Sequence, residues 1–192
     1  MFQDGVGFEY KRNPQKSVVG TRTMGWRRQN QGLDINFTAK GRKEGKRNAN
    51  FYVGIAHGKG VTMCVPIAGR INGEKYIEKV VPAIEEAVRD SIDKRIIQGN
   101  CRVMNSKAVV DELNGKGILR MKIPPRSPDI NCIENVLLSI KLAIQKDAIR
   151  RGITTESFLQ FQARAAKIIR EYSTEYIDKV IDTMGNRVDS NE

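Results

Sequence analysis

The sequence predicts an α/β fold: a mixed sheet flanked by helices, with a helical C-terminal tail. Three observations support this prediction. The first is a pair of adjacent β-type runs, and the second is a strand–helix–strand unit of about thirty residues. The third is a set of three amphipathic helical segments that follow this unit. With 192 residues, 40% of them apolar and 29% charged, the chain can bury one core, and its composition excludes disorder. No apolar run reaches the roughly 18 residues of a membrane span, and the N-terminus does not resemble a signal peptide. A soluble intracellular protein with no membrane partner is expected.

The first regular elements follow a long basic segment. Residues 10–50 are rich in Gly, Asn, Arg and Lys and lack periodic apolar positions, which predicts a loop-like excursion with short strand pieces such as 33–37. The β-type runs at 51–56 and 61–67 are separated by a Gly-rich connection. This arrangement predicts an antiparallel hairpin.

The middle of the chain alternates helices and strands. Residues 73–92 carry apolar side chains at helical spacing, with Asn72 as a candidate N-cap and Pro82 as a candidate kink. A short strand at 95–98, a helix that is followed by glycines, and a strand at 118–123 come next. This order predicts a parallel crossover.

Three amphipathic helices complete the predicted fold. The first runs from Ile133 to about Arg150, and the second covers 155–171. The third begins after Ser173 as its N-cap and ends at Gly185.

The charge points to a polyanionic partner. The net charge is +11, and residues 10–50 hold eleven cations against two acids. Because this segment lacks the apolar spacing of a membrane-binding helix, nucleic acid is the expected partner. The basic run at 40–47 also resembles a nuclear-localisation signal and favours a nuclear location.

Cysteine usage excludes two classes of site. The chain has three cysteines and one histidine, and it contains no CxxC pair. The sequence therefore supports neither a disulfide framework nor a Cys/His zinc site. We also expect no small-molecule cofactor.

Three short segments carry the chemical information: FQDGVGF at 2–8, IIQGN at 96–100 and PPRSPDINCIEN at 124–135. The last segment resembles the PPxSPDLNPIEN signature of mariner-superfamily (Tc-type) transposases. In that family the Glu of IEN is the third metal-binding acid, and the second acid lies in a QDxxxxxxSK motif, with thirty-four residues between the two acids. Here Gln98 and Ser106-Lys107 match, and thirty-four residues separate position 99 from Glu134, but position 99 is Gly.

The N-terminal segment extends the resemblance. The family's first acid ends a strand in the pattern FxxDGxGF, which Asp4 fits. A WRRxxxGL-like basic element follows, as at 26–33 here. The resemblance covers the chain from Phe2 to about Val188. It does not include the family's N-terminal helix-turn-helix DNA-recognition region.

The resemblance implies a ribonuclease-H-like DDE catalytic domain over 1–150, with 10–50 as a basic insertion and 151–192 as a C-terminal helical extension of the same domain. Asp4 and Glu134 are then the catalytic and metal-binding residues for Mg²⁺ or Mn²⁺. Because Gly99 supplies no ligand, metal binding is expected to be weakened or lost and strand transfer impaired. The implied partners are DNA and a second copy of the chain or related transposase subunits.

The candidate DNA-binding residues are ten of the eleven cations and the tryptophan of the basic segment, together with one residue from each of the two later motifs. They are Lys11, Arg12, Arg22, Trp26, Arg27, Arg28, Lys40, Arg42, Lys43, Lys46, Arg47, Lys107 and Arg126. Trp26 is equally suited to stacking on a base and to anchoring the basic loop in the core.

Simpler interpretations stay open for several of these residues. Glu134 also suits the first turn of a helix through its dipole, and Asp4 beside a glycine suits a turn. Asp129 is interpreted as a helix cap rather than a metal ligand. Asp93 or Asp111 is a less favoured substitute for the missing acid. At the level of function, the alternative is a non-catalytic nucleic-acid-binding or assembly module retained by its host.

Overall fold

The computed structural model describes residues 1–15, 47–121 and 131–189, with side chains as far as Met184. In chain order its elements are β1 (Phe2–Glu9), β2 (Asn48–Ala56), β3 (Gly60–Ile67), α1 (Gly73–Lys79), α2 (Val81–Ala87), β4 (Arg95–Gln98), α3 (Lys107–Gly115), β5 (Leu119–Met121), α4 (Ile133–Arg150), α5 (Phe158–Arg170) and α6 (Thr174–Asp189).

The strands form one mixed sheet in the order β3-β2-β1-β4-β5. The β2–β3 pair is antiparallel, and β4 and β5 are parallel, so the predicted hairpin and crossover are both confirmed. The central strand β1 runs antiparallel to β2 and parallel to β4. Phe2 and Gln3, at the start of β1, therefore have neighbours on both sides in the sheet.

Helices cover both faces of the sheet, as the alternation of side chains along β2 illustrates. Phe51 and Val53 belong to the buried cluster formed with α4, α5 and α6. Tyr52, between them, belongs to the cluster formed with α1, α2 and α3. Because successive strand residues face opposite sides, one strand contributes to both cores.

Two predicted caps are confirmed. The Asn72 side chain accepts a hydrogen bond from Lys75 N at 3.0 Å and begins α1. Ser173 Oγ accepts one from Tyr176 N at 3.2 Å immediately before α6 begins. Each cap satisfies a backbone donor that the first helical turn leaves free.

The prediction of one helix over 73–92 is wrong, because the chain forms α1 and α2 with Val80 between them, and α2 ends at Ala87. Pro82 lies at the start of α2, where its missing N–H breaks the run of helical hydrogen bonds. The prediction that Gly185 ends the last helix is also wrong, since α6 continues to Asp189. A single glycine costs a helix only about 1 kcal/mol, which does not suffice to end it.

Three other boundaries differ from the sequence-based prediction. β2 begins at Asn48, within the segment expected to be loop-like. α5 begins at Phe158 rather than at 155, because Ser157 and Gln160 form a capping box there. Of the strand predicted over 118–123, the described residues form the shorter strand β5, and residues 122 and 123 lie outside the described part of the chain. The strand pieces predicted at 33–37 lie outside it as well.

None of the described helices combines the length and the apolar character needed to cross a bilayer.

Candidate active site

The register between β1 and β4 positions the candidate site. In this parallel pair Gln3 lies opposite Gln98, and Gly99 N donates to Gln3 O at 3.3 Å. The residue that follows Gln3 on β1 is Asp4, and the residue that follows Gln98 at the end of β4 is Gly99. The position that the resemblance assigns to the second acid is therefore directly beside the first acid.

A buried polar network fixes this register. Gln3 Nε2 donates to Gln98 Oε1 at 2.8 Å and to the hydroxyl of Tyr76 at 2.8 Å. Gln98 Nε2 in turn donates to Met104 O at 3.1 Å. Both glutamines are buried, so a one-residue slip of β4 against β1 would leave their amide groups without partners. Gln3 and Gln98 lie in two of the three segments singled out from the sequence, but no role was assigned to Gln3, and Tyr76 was missed.

The expectation that Asp4 ends a strand is wrong, since Asp4 is the third residue of the eight-residue β1. Its Oδ1 accepts a hydrogen bond from Gly5 N at 2.7 Å, and its Oδ2 accepts one from Asn131 Nδ2 at 3.4 Å. A Cβ atom at Gly99 would lie 2.5 Å from Asp4 Oδ1 and 2.7 Å from Oδ2. The Asp4 carboxylate thus fills the space that a side chain at position 99 would need.

Glu134 acts on Asp4 from the start of α4. It is exposed and lies in the first turn, with its backbone N–H bonded to Asn131 O at 3.1 Å. Burial raises the pKa of Asp4 above its ordinary value, the Gly5 N–H opposes this, and the negative charge of Glu134 raises the pKa further. The fold brings both acids into contact with Asn131, whose side chain donates to Asp4 and whose backbone oxygen accepts from Glu134 N.

The donor set suits one divalent cation. Among the described residues, no group of three His, Cys, Asp or Glu side chains is placed to hold a metal ion. Asp4 and Glu134 nevertheless offer carboxylate oxygens, and the buried Asn131 Oδ1 lacks a hydrogen-bond partner within the described structure. Carboxylate and amide oxygens are ligands that Mg²⁺ and Mn²⁺ prefer. The residues present therefore fit a cation of this class. Asn131 is part of the motif at 124–135, but no role was assigned to it from the sequence.

The other candidate acids are placed differently. Asp93 is exposed and lies 3.7 Å from Arg95 Nη2. Asp111 is exposed on α3. Cys132 precedes α4 and makes no capping hydrogen bond with its side chain. Asp129, interpreted as the cap from the sequence, lies outside the described residues.

A groove of about 320 Å³ runs from Asp4 along β1 and is lined by Tyr52, Asn50 and Arg70 among others. Two glycines of β1, Gly5 and Gly7, also line this groove. A Cβ atom at Gly5 would lie 3.0 Å from the Tyr52 ring, and one at Gly7 would lie 2.8 Å from Asn50 Oδ1. The Gly-x-Gly pattern after Asp4 therefore lets side chains of β2 lie close over β1.

Four of the candidate DNA-binding residues are described. Lys11, Arg12 and Lys107 are exposed. The Arg47 guanidinium lies 3.6 Å from the centroid of the Phe158 ring, in a cation–π contact. The others, Arg22, Trp26, Arg27, Arg28, Lys40, Arg42, Lys43, Lys46 and Arg126, lie outside the described residues.

Comparison with known proteins places the fold in the class of transposase and integrase catalytic domains. A pre-cleavage Mos1 transpososome superposes with a TM-score of 0.67 at 14% identity, covering 98% of this chain and 53% of that one. The catalytic domain of Mos1 mariner transposase gives 0.60 at 11% identity, covering 97% and 78%. A simian T-cell lymphotropic virus intasome gives 0.53 at 12% identity, covering 90% and 49%.

Within that class, the chain has the fold of the mariner-type transposase catalytic domain, so the ribonuclease-H-like fold predicted through the resemblance is confirmed. No protein-family model and no curated protein matches the amino-acid sequence. The chain spans about half the length of the Mos1 chain in the transpososome.

Proposed function

We propose that this chain is a transposon-derived DDE catalytic domain that is related to cut-and-paste DNA transposition and is catalytically impaired. The observation that supports this most directly is the packing of Asp4 against Gly99, with Glu134 close by at the start of α4. The proposed site thus has the first and third acids of a DDE triad, Asp4 and Glu134, whereas Gly99 at the position of the second acid has no side chain. The fold shared with Mos1 adds to this support.

In this proposal Asp4 and Glu134 hold the divalent cation. Solved structures of the Mos1 catalytic domain contain Mn or Mg, and Mg²⁺ or Mn²⁺ is the cation we propose here. When bound in such a site, these ions activate the attacking oxygen and stabilise the leaving oxygen of a phosphodiester. Gly99 offers no ligand to a second ion, so cation binding and strand cleavage are weakened or lost.

We extend the proposal to DNA as a partner and to assembly with a second copy or a related transposase. The Mos1 neighbours include a paired-end complex with a left transposon end and a strand transfer complex. The charge of +11, concentrated in residues 10–50, suits a phosphate backbone. A nuclear location is also proposed, on the basic run at 40–47 alone.

The decisive experiment restores the missing acid. Gly99→Asp should increase Mg²⁺-dependent nicking of DNA by on the order of 10²–10³-fold, the effect of regaining one group that stabilises the transition state. The Asp4 carboxylate must move aside for the new Cβ, which its short side chain allows by rotation. Gly99→Asn is the matched control, since it has the same size without the charge. Equal nicking by the parent and both folded variants would contradict the assignment of the site.

The second candidate function is a non-catalytic nucleic-acid-binding or assembly module. The occupation of the position-99 space by the Asp4 carboxylate favours it, because in this arrangement Asp4 lies where the side chain of a second acid would begin. Such a module binds duplex DNA equally well with and without Mg²⁺, and its affinity decreases with salt. Affinity measured over a range of salt and Mg²⁺ concentrations separates it from a metal-dependent enzyme.

A further inference from the structure

Tyr52 lines the groove beside Asp4, and its hydroxyl group has no hydrogen-bond partner among the described residues. The residue is 6% exposed, and its ring packs against the Tyr76 ring in a T-shaped contact with a centroid distance of 5.0 Å. The hydroxyl of a tyrosine this deeply buried usually finds a partner. This one therefore points to a group that enters the groove from outside the chain.

The Tyr52 ring extends from β2 across β1. A Cβ atom at Gly5 would lie 3.3 Å from Tyr52 Cζ, the carbon that bears the hydroxyl. β4 pairs with β1 only at Phe2 and Gln3, so from Asp4 onward the side of β1 away from β2 has no strand beside it in the described structure. The hydroxyl therefore lies over the part of β1 that immediately follows Asp4.

Arg70 supplies a second group of hydrogen-bond donors to the same groove. It lies between β3 and α1, is exposed, and forms no ion pair or hydrogen bond with the described residues. Among the described residues that line the groove, the only other charged one is Asp4. A phenol and a guanidinium both donate to oxyanions, and the planar guanidinium matches the geometry of a phosphate. The two side chains together suit a phosphate group.

Building on the proposed function, we propose that Tyr52 and Arg70 hold a backbone phosphate of the DNA strand whose neighbouring phosphodiester lies at Asp4. Gly5 and Gly7 add no side chains to the floor of the groove, so the strand can lie against the backbone of β1. The volume of about 320 Å³ suits one strand rather than a duplex. Tyr52 and Arg70 thus position the substrate and take no part in breaking its bonds.

The test is a titration of the isotope-labelled full chain with a short single-stranded oligothymidylate in the presence of Mg²⁺, followed by nuclear magnetic resonance. The backbone amide signals of Gly5 and Gly7 should shift, and their shifts measure affinity at the groove separately from binding to the basic segment. Tyr52→Phe keeps the ring and removes only the hydroxyl. It should weaken binding about tenfold, the effect of losing one hydrogen bond to a charged group. Its melting temperature should equal that of wild type, because the hydroxyl has no partner among the described residues.

The salt dependence of the same titration separates the two side chains. Arg70→Gln should reduce the slope of log affinity against log salt by about 0.7, the contribution of one phosphate contact on a single strand. Tyr52→Phe removes no charge and should leave the slope unchanged. Tyr176→Phe on α6 and Arg170→Gln on α5, which do not line the groove, are the matched controls and should bind like wild type.

The outcomes separate this inference from the proposed function. If the wild-type chain binds neither the oligothymidylate nor duplex DNA, both are overturned. If it binds DNA without shifts at Gly5 and Gly7, or if Tyr52→Phe and Arg70→Gln bind like wild type, only the phosphate site is overturned. If Tyr52→Phe also lowers the melting temperature, the role of its hydroxyl is overturned, and the Arg70→Gln slope decides for the site. Binding in the groove as expected, with no gain in nicking by Gly99→Asp, would contradict the proposed function alone.

Discussion

The carboxyl group of Asp4 is held in an environment that disfavours its charge. Burial raises its pKa, and the Glu134 carboxylate acts in the same direction, while the Gly5 N–H acts against both. The folded chain therefore holds the Asp4 proton more tightly than the unfolded chain. The stability gained from protonated Asp4 is fully present below the ordinary value of 3.8 and is lost as the pH increases through the raised pKa.

Asp4→Asn should for this reason increase the melting temperature at about pH 7 in the absence of divalent cations. An asparagine can still accept the hydrogen bond from Gly5 N and carries no charge to desolvate. The gain should disappear near pH 3.8, where the wild-type carboxyl is also largely protonated. Thermal unfolding in EDTA at both pH values measures this, with the exposed Asp111→Asn as control. A lower melting temperature for Asp4→Asn at neutral pH would refute the role of burial.

At the scale of elements, a buried ion pair joins α5 to the segment before it. Arg164 Nη2 lies 2.7 Å from Glu156 Oε1, and both side chains are buried. Arg164 Nη1 also donates to Ile144 O on α4 at 2.9 Å. The backbone N–H of Glu156 donates to Arg12 O at 3.0 Å, so the pair also connects the segment after β1 with the C-terminal helices.

Glu156→Gln should reduce the free energy of unfolding by about 1.5–3 kcal/mol, because it removes the closer of the two carboxylates that pair with Arg164 and leaves Asp147 Oδ2, at 3.4 Å, as its ion-pair partner among the described residues. Urea unfolding followed by circular dichroism measures the change. Arg170→Ala, at an exposed position in the same helix, should stay within about 0.5 kcal/mol of wild type.

The double variant Arg164→Met with Glu156→Leu tests the explanation. Because it removes both charges, it should recover most of the stability that Glu156→Gln removes. A double variant as unstable as Glu156→Gln would show that packing, and not the loss of the Glu156 charge beside Arg164, accounts for the effect.

At the scale of the whole molecule, charge is distributed unevenly along the chain. Residues 10–50 carry a surplus of nine positive charges, whereas the rest of the chain is nearly balanced. If this segment binds phosphates, the salt dependence of DNA binding should come mainly from it.

The triple variant Arg42→Glu, Lys43→Glu and Lys46→Glu should therefore reduce the slope of log affinity against log salt, by about 0.9 for each phosphate that the variant no longer neutralises. Fluorescence anisotropy with a labelled DNA duplex at several salt concentrations measures the slope. The control variant Lys146→Glu, Lys167→Glu and Arg170→Glu makes the same change in charge at exposed positions of α4 and α5. Equal slopes for the two triple variants would contradict a specific role of the basic segment.

Some elements could be predicted from the sequence because their signals are local. The hairpin of β2 and β3, the cap at Asn72 and the long helix α4 each depend on periodicity or on one side chain near the backbone it caps. The break at Val80 and the continuation of α6 through Gly185 were not predicted, because each depends on how one Pro or Gly competes with the interactions of a whole helix.

The sequence by itself determined the α/β order of elements, the surplus of positive charge and the acids at Asp4 and Glu134, through the motifs around them. Only the tertiary structure decided that the Asp4 carboxylate lies over Gly99 and that Asn131 lies beside it, with an oxygen that accepts no hydrogen bond from the described residues. The physical reason is that these interactions join residues that are far apart in the sequence. They depend on the register of β1 against β4 and on the packing of α4, which no local pattern encodes.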